Sequence, residues 1–254
     1  MKKIILLFVA FGLAVGMSSC LNGGKYEVRD DVVVYSHWTF SFGPRADTLP
    51  GADPATFKQV KNWLGHDSKH AYYLDRLVPG VDVASLKVVR KPLFRDKNDY
   101  YYEDSPIHVA DVGSFKVIKW VYDSFWAKDS KYAYYNTTRI EADLATFKVE
   151  SFELAKDKSH VYHFGVLVQG ADPATFECIK KSTYYRDKNH IWCGSELMKD
   201  ADYETFEVDG LNDAHDKNGA FFFEKRVNPE DYSEIEEPEN SETQETTEEP
   251  EPVN

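Results

Sequence analysis

The sequence predicts an all-β fold of tandem β-hairpin repeats, with about six and a half units of roughly 29 residues stacked as an elongated solenoid-like array. Three observations predict it. A motif Ala-Asp-x-x-Thr-Phe recurs along the chain, a second motif built on Asp-Lys-Asn alternates with it, and an aromatic residue follows each second motif at a fixed distance. The repeat domain is expected over residues 25–227, between a signal segment and an acidic tail.

The first residues have the layout of a secretory signal. A basic start at residues 1–3 precedes an apolar stretch at residues 4–15, which is too short to span a bilayer as a helix. Residues 17–20, Met-Ser-Ser-Cys, resemble the lipobox of bacterial lipoproteins, in which the cysteine is acylated after cleavage on its N-terminal side. We therefore expect a signal peptide over 1–19 and a membrane anchor on Cys20, with a lipidated tether over 20–24. An ordinary cleaved signal and an uncleaved anchor are the alternatives.

The two markers set the repeat. The first-marker aspartates are 29, 29, 32, 29 and 30 residues apart, and they are Asp53, Asp82, Asp111, Asp143, Asp172 and Asp202. The second-marker aspartates, which we call the turn aspartates, are Asp67, Asp96, Asp129, Asp157, Asp187 and Asp216. An Asp at the first marker can cap a helical turn or tight bend. A degenerate copy of the second marker at Asp30-Asp31 indicates that the array begins with a half-unit.

The second marker predicts a hairpin turn, because Asp favours the first position and Asn-Gly, as at Asn218-Gly219, tolerates positive φ. A return strand follows. Its residues five positions after the turn aspartates are all aromatic: Tyr72, Tyr101, Tyr134, Tyr162, Trp192 and Phe221. The preceding column is also apolar or aromatic, so both faces of each hairpin should be buried between neighbouring repeats. We expect two strands per unit, which argues against the four-stranded blades of a propeller.

These residues resemble the DKNYY family of bacterial repeat proteins. Asp96-Lys97-Asn98-Asp99-Tyr100-Tyr101 carries the resemblance, with looser copies at the other turns. The resemblance implies a secreted or lipid-anchored repeat protein and supplies no catalytic residues. Because no Asp follows Cys20, the lipobox resemblance implies a cell-envelope protein, in the outer membrane and facing the periplasm where the cell has one.

Charge is unevenly distributed. The net charge is −13, of which the signal contributes +2 and residues 228–254 contribute −11, so the body is nearly neutral. A nucleic-acid partner would need a basic face and is not expected. The tail over 228–254 is too polar to bury a core and is expected to be disordered.

The sequence shows no metalloprotease, hydrolase, phosphate-loop or Cys-x-x-Cys motif, and we expect no catalytic residue, metal or cofactor. The turn Asp-x-Asn lacks the ligand spacing of a calcium loop. Histidines recurring at the turns could form a metal ladder, although polar turn residues explain them equally well. Cys178 and Cys193 could form a disulfide, or Cys178 could pack as a repeat residue.

We expect a non-enzymatic protein whose repeat surface binds an unknown envelope protein. The alternative is binding of a carbohydrate or cell-wall glycan through exposed aromatic side chains. Aromatic residues outside the repeat columns are the candidate binding residues: Phe125 and Trp126 in the unit with a longer marker spacing, and Trp38 and Phe40 in the N-terminal segment. Covering of a bulge is the other interpretation of Phe125 and Trp126.

Overall fold

The structure, a computed structural model, describes residues 24–39 and 41–227. These residues form seven small antiparallel sheets in tandem and no α-helix, which confirms the predicted all-β repeat fold. The chain divides into two compact units, one ending at Val112 and the other beginning at Gly113.

The first unit contains sheets 1 to 3. Sheet 1 consists of β1 (Lys25–Arg29), β2 (Val32–Thr39) and β3 (Gly43–Thr48). Sheet 2 consists of β4 (Lys58–Lys61), β5 (Leu64–His66), β6 (Ala71–Tyr73) and β7 (Arg76–Val78). A 3-10 turn at Val83–Ser85 precedes sheet 3, which consists of β8 (Lys87–Arg90), β9 (Leu93–Arg95), β10 (Tyr100–Tyr102) and β11 (Ser105–Pro106).

The second unit contains sheets 4 to 7. Sheet 4 consists of β12 (Lys116–Val121), β13 (Ser124–Lys128), β14 (Ala133–Tyr135) and β15 (Thr138–Ile140). Sheet 5 consists of β16 (Lys148–Val149), β17 (Leu154–Lys156), β18 (Val161–His163) and β19 (Val166–Leu167). Sheet 6 consists of β20 (Glu177–Cys178), β21 (Tyr184–Arg186), β22 (Ile191–Cys193) and β23 (Glu196–Leu197). Sheet 7 consists of β24 (Glu207–Val208), β25 (Asp213–Asp216), β26 (Gly219–Phe222) and β27 (Lys225–Val227).

Each full repeat forms a four-stranded meander, so the expectation of two strands per unit is wrong. The predicted hairpin supplies only the two central strands, for example β17 and β18 of sheet 5. The residues after the first marker add a strand on one side, and the residues after a second tight turn add one on the other. The outer strands are short and largely exposed, which hides their periodicity in the sequence. Because each unit has four strands, the number of strands per unit no longer argues against the four-stranded blades of a propeller.

The first marker forms the predicted capped turn. The side chain of Asp82 accepts a hydrogen bond from the backbone N–H of Ser85 and caps the 3-10 turn. In the copies at Asp53, Asp143, Asp172 and Asp202 the Thr backbone N–H donates to the marker Asp carbonyl, as from Thr146 to Asp143 over 3.1 Å. The marker thus directs the chain into the first strand of the next sheet.

The return-strand columns form the core, as predicted. All six aromatic residues of the column five after the turn aspartates are buried. Within the second unit, one hydrophobic cluster joins sheets 4 and 5 through Trp126, Ile140, Phe147 and Tyr162. Each sheet is therefore stabilised chiefly by its neighbour, as expected for a repeat array.

Candidate binding surfaces

The turn aspartate connects the two markers of its repeat. In sheet 5, Oδ1 of Asp157 accepts hydrogen bonds from the backbone N–H groups of Ser159 and His160, both at 2.7 Å. Its Oδ2 accepts one from the backbone N–H of Asp143, the first-marker aspartate, at 2.9 Å. The turn aspartates that accept the equivalent first-marker bond are Asp67, Asp96, Asp187 and Asp216. These carboxylates are buried and act as structural acceptors.

Their electrostatics agree with this role. Burial opposes ionisation of Asp157, but its backbone N–H donors outweigh burial and hold the pKa below its usual range. The Tyr162 hydroxyl also donates to Asp157, over 3.1 Å. In the last repeat Phe221 has no hydroxyl, and Arg226 instead forms a bidentate ion pair with Asp216, which strongly lowers the pKa of Asp216.

The histidines of the turn column lie beside their own turn aspartates. The Nδ1 atoms of His70, His160 and His190 are 3.4, 3.3 and 3.7 Å from the nearest carboxylate oxygen. Across residues 24–39 and 41–227, no three His, Cys, Asp or Glu side chains are grouped in a way that could hold a metal ion.

Three titratable side chains meet where sheets 5 and 6 pack. The Tyr185 hydroxyl donates to Oε1 of Glu153 over 2.5 Å, and Nε2 of His163 lies 3.9 Å from Oε2 of the same carboxylate. The rings of His163 and Tyr185 are 5.4 Å apart. Burial lowers the pKa of His163, although Glu153 opposes that shift, and burial raises the pKa of Tyr185. The group joins two neighbouring repeats.

Cys178 and Cys193 are free thiols. Cys178 lies on β20 and Cys193 on β22, the two strands that flank β21. Strands two places apart in a sheet are roughly 10 Å from each other, which is too far for a disulfide. Burial raises the pKa of both thiols, so neither is an activated nucleophile.

The prediction of binding contacts at Phe125 and Trp126 is wrong, because both side chains are 0% exposed. The Trp126 indole packs on Tyr135 with ring centroids 4.8 Å apart, and its Nε1 donates to the Phe152 carbonyl over 2.8 Å. The extra residues of this repeat lengthen β12 and β13 instead of forming a loop. Trp126 occupies the column three before the turn aspartate, which is also buried in other repeats at Leu64, Leu93, Leu154 and Tyr184.

The extended hairpin exposes a different aromatic residue. Tyr122, in the turn between β12 and β13, is 89% exposed and has a φ of 52°. The exposed turn position of Tyr122 could not be predicted from the sequence, because Tyr122 ends a continuous β-prone run and lacks the residues typical of a turn.

Exposed aromatic side chains also lie at the tip of the hairpin formed by β2 and β3. Trp38 is 70% exposed on β2, and Phe42, which the sequence analysis missed, is 76% exposed in the connection. The Arg45 guanidinium lies 5.8 Å from the centre of the Phe42 ring. We call Trp38, Phe42 and Arg45 the aromatic tip. Phe40, the other predicted binding residue of this segment, lies outside the described residues.

The predicted lipidation site and the acidic tail also fall outside the described part of the chain, at Cys20 and at residues 228–254. Among the residues that are described, no helix is long and apolar enough to cross a membrane.

The comparisons with known proteins agree with the repeat pattern. The family model described as the DKNYY family matches residues 28–166 and 161–247. No curated protein and no solved structure matches the chain.

Proposed function

The chain belongs to the DKNYY family of repeat proteins, and from that premise we propose that it is a lipid-anchored, non-enzymatic protein of the bacterial cell envelope that binds another protein. The aromatic tip is the proposed contact. The observation that carries this proposal is the exposure of Trp38 and Phe42 on one hairpin, whereas most other Trp, Tyr and Phe side chains among the described residues are buried.

The aromatic tip has the composition of a protein-binding hot spot. Trp, Tyr and Arg dominate such sites, and the aromatic tip combines Trp38 with Arg45 beside Phe42. The six paired positions between β2 and β3 hold the hairpin in an extended conformation, so little entropy is lost when a partner contacts it. The repeated turn aspartates are less suited to contact a partner because they already accept hydrogen bonds within the repeat.

The anchor supports a location at the membrane. Acylation of Cys20 by two or three chains would hold the protein stably, because each buried methylene contributes about 0.8 kcal/mol. A Cys20→Ser variant should therefore accumulate as an uncleaved or soluble form. Maturation to the wild-type mass, with flotation in the membrane fraction, would contradict the anchor.

The partner can be captured by mild crosslinking in native membranes. Wild type should retain a defined protein that the double variant Trp38→Ala with Phe42→Ala loses, while both keep the same thermal midpoint. Tyr122→Ala is the matched control, since it removes an equally exposed aromatic side chain from another hairpin tip. Equal capture by wild type and the double variant would exclude the aromatic tip as the contact.

Glycan binding is the second candidate, because an exposed indole such as that of Trp38 can also stack on a sugar ring. Retention on purified peptidoglycan and glycans separates the two. If wild type binds a glycan, the double variant does not, and no protein is crosslinked, then the ligand is a carbohydrate.

A further inference from the structure

Sheets 4 and 5 place lysine directly opposite lysine in their first hairpin. Lys116 on β12 pairs with Lys128 on β13, and Lys148 on β16 pairs with Lys156 on β17. Like charges at directly opposed positions destabilise an antiparallel pair. These lysine pairs therefore act against the stability of the hairpins that contain them.

The fold does not require lysine at these positions. In sheet 6 the equivalent pair is Glu177 with Arg186, and the carboxylate and guanidinium groups form an ion pair at 2.8 Å. In sheet 7 it is Glu207 with His215. The backbone register at this pair is the same in all four sheets, so the charge of the pair can vary without changing the fold.

The lysine pairs line a groove. A cavity of about 560 Å³ lies between the first strands of sheets 4 and 5, and Lys116, Lys128 and Lys148 line it together with the acidic Glu150. A second cavity of about 350 Å³ shares Lys148 and Glu150 with the first and adds Lys156 and Lys158. We call the two connected cavities the lysine trough.

Three of these ammonium groups have no anionic partner. In the part of the chain that the structure describes, Lys116, Lys128 and Lys148 form no ion pair. Lys158 is paired with Asp143 at 2.6 Å, and Nζ of Lys156 donates to the Phe176 carbonyl.

The acidic residues of the lysine trough do not cancel its charge. Glu150 is exposed on the wall, and Asp157 at the floor already accepts hydrogen bonds at both carboxylate oxygens. Five lysines therefore face two carboxylates, and one further carboxylate, that of Asp143, is paired with Lys158. The lysine trough is positive on a chain whose net charge is −13.

We propose that the lysine trough binds a linear polyanion that carries phosphate groups. All its cations are lysines, whose ammonium groups act as point charges and commonly bind phosphate groups in proteins. A linear polymer can enter a groove, while a flat anionic membrane would meet the acidic remainder of the chain. This site is distinct from the aromatic tip, and its ligand is independent of the proposed protein partner.

The test measures binding of linear polyphosphate to the full chain at physiological ionic strength. The variant Lys116→Gln with Lys148→Gln removes one lysine from each pair. It should weaken binding about tenfold and reduce its salt dependence, because two ionic contacts with the polyanion are lost. The control variant, Lys188→Gln with Lys217→Gln, changes the net charge equally but lies outside the lysine trough, where both lysines pair with aspartate. It should bind like wild type.

Two comparison probes define the ligand class. Polygalacturonate, a carboxylate polymer, and phosphatidylglycerol vesicles should both bind more weakly than polyphosphate. The proposal is overturned if polyphosphate does not bind, if the control variant loses as much affinity as the trough variant, or if either comparison probe binds at least as tightly. Thermal midpoints of both variants should match or exceed that of wild type, so that a loss of binding is not a loss of folding.

Discussion

Sheets 4 and 5 bury the same aromatic column as sheets 6 and 7 but differ from them in their exposed cross-strand pairs. Trp126 in sheet 4 and Tyr184 in sheet 6 occupy the same buried column, and the turn aspartates of sheets 5 and 6 accept the same backbone hydrogen bonds. At the exposed paired positions, lysine faces lysine in sheets 4 and 5. In sheets 6 and 7, glutamate faces arginine or histidine. The buried columns therefore report the fold, and the exposed columns are where we propose that differences in binding lie.

The largest effects should come from the buried columns and should be similar in both regions. Trp126→Ala in sheet 4 and Trp192→Ala in sheet 6 should each lower the free energy of unfolding by about 4 kcal/mol, because both side chains are fully buried. Urea denaturation measures the loss, and Trp38→Ala is the exposed control, with an expected change below about 0.5 kcal/mol. A small loss at only one of the two positions would show that the buried columns do not contribute equally in the two regions.

Removal of a turn aspartate should cost about 3 kcal/mol in either region, because buried N–H donors lose their acceptor. Asp157→Ala and Asp187→Ala test this in sheets 5 and 6. Asp157→Asn should cost less, since its amide oxygen can still accept. Hydrogen exchange should accelerate at the amides of Asp143, Ser159 and His160 in the Asp157 variant. Unchanged exchange at these amides would show that Asp157 does not hold the two markers together through these hydrogen bonds.

The boundary between the two regions should be sensitive to mild acid. Burial lowers the pKa of His163, so as the pH falls below about 6.5 the unfolded chain takes up a proton more readily than the folded one. Stability should therefore decrease as the pH falls through this range. His163→Gln should flatten this part of the stability profile, measured as thermal midpoint against pH. An identical slope in the variant would assign the acid sensitivity to other groups.

Charge reversal should have the smallest effects, with opposite signs in the two regions. Lys148→Glu would face Lys156 and should raise stability by about 0.5 kcal/mol, whereas Glu177→Lys would face Arg186 and should lower it by a similar amount. Both changes should shrink in 1 M salt. Two changes of the same sign would mean that cross-strand charge does not distinguish the regions.

The repeat, its turns and its central hairpin could be predicted because the residues that form them recur at fixed spacing. The outer strands could not: β16 and β19 have two residues each, too few to show an alternation. The burial of Trp126 was missed because its column holds leucine in three other repeats, so a tryptophan there does not look like a repeat residue.

The candidate sites were predicted only in part. Trp38 could be chosen as a candidate from the sequence because it lies outside the repeat columns. The structure shows that its side chain is exposed. The lysine pairs could not, because the markers align Lys116 with Lys148 and Lys128 with Lys156, but only the strand register shows that the two lysines of each pair face each other. Like-charge pairing across a hairpin is a property of the fold, and no single segment of sequence contains it.

The hydrogen bond that joins the two markers of a repeat also affects how quickly the chain can fold. The hydrogen bond from Asp143 to Asp157 closes a loop of 14 residues, and the equivalent bond from Asp172 to Asp187 closes one of 15. Short loops are entropically cheap to close, and folding rates fall as the mean sequence separation of native contacts rises. Each repeat can therefore form this hydrogen bond as soon as its own residues are present. An array with more repeats would have a longer chain, but its contacts would not join residues that are farther apart in the sequence.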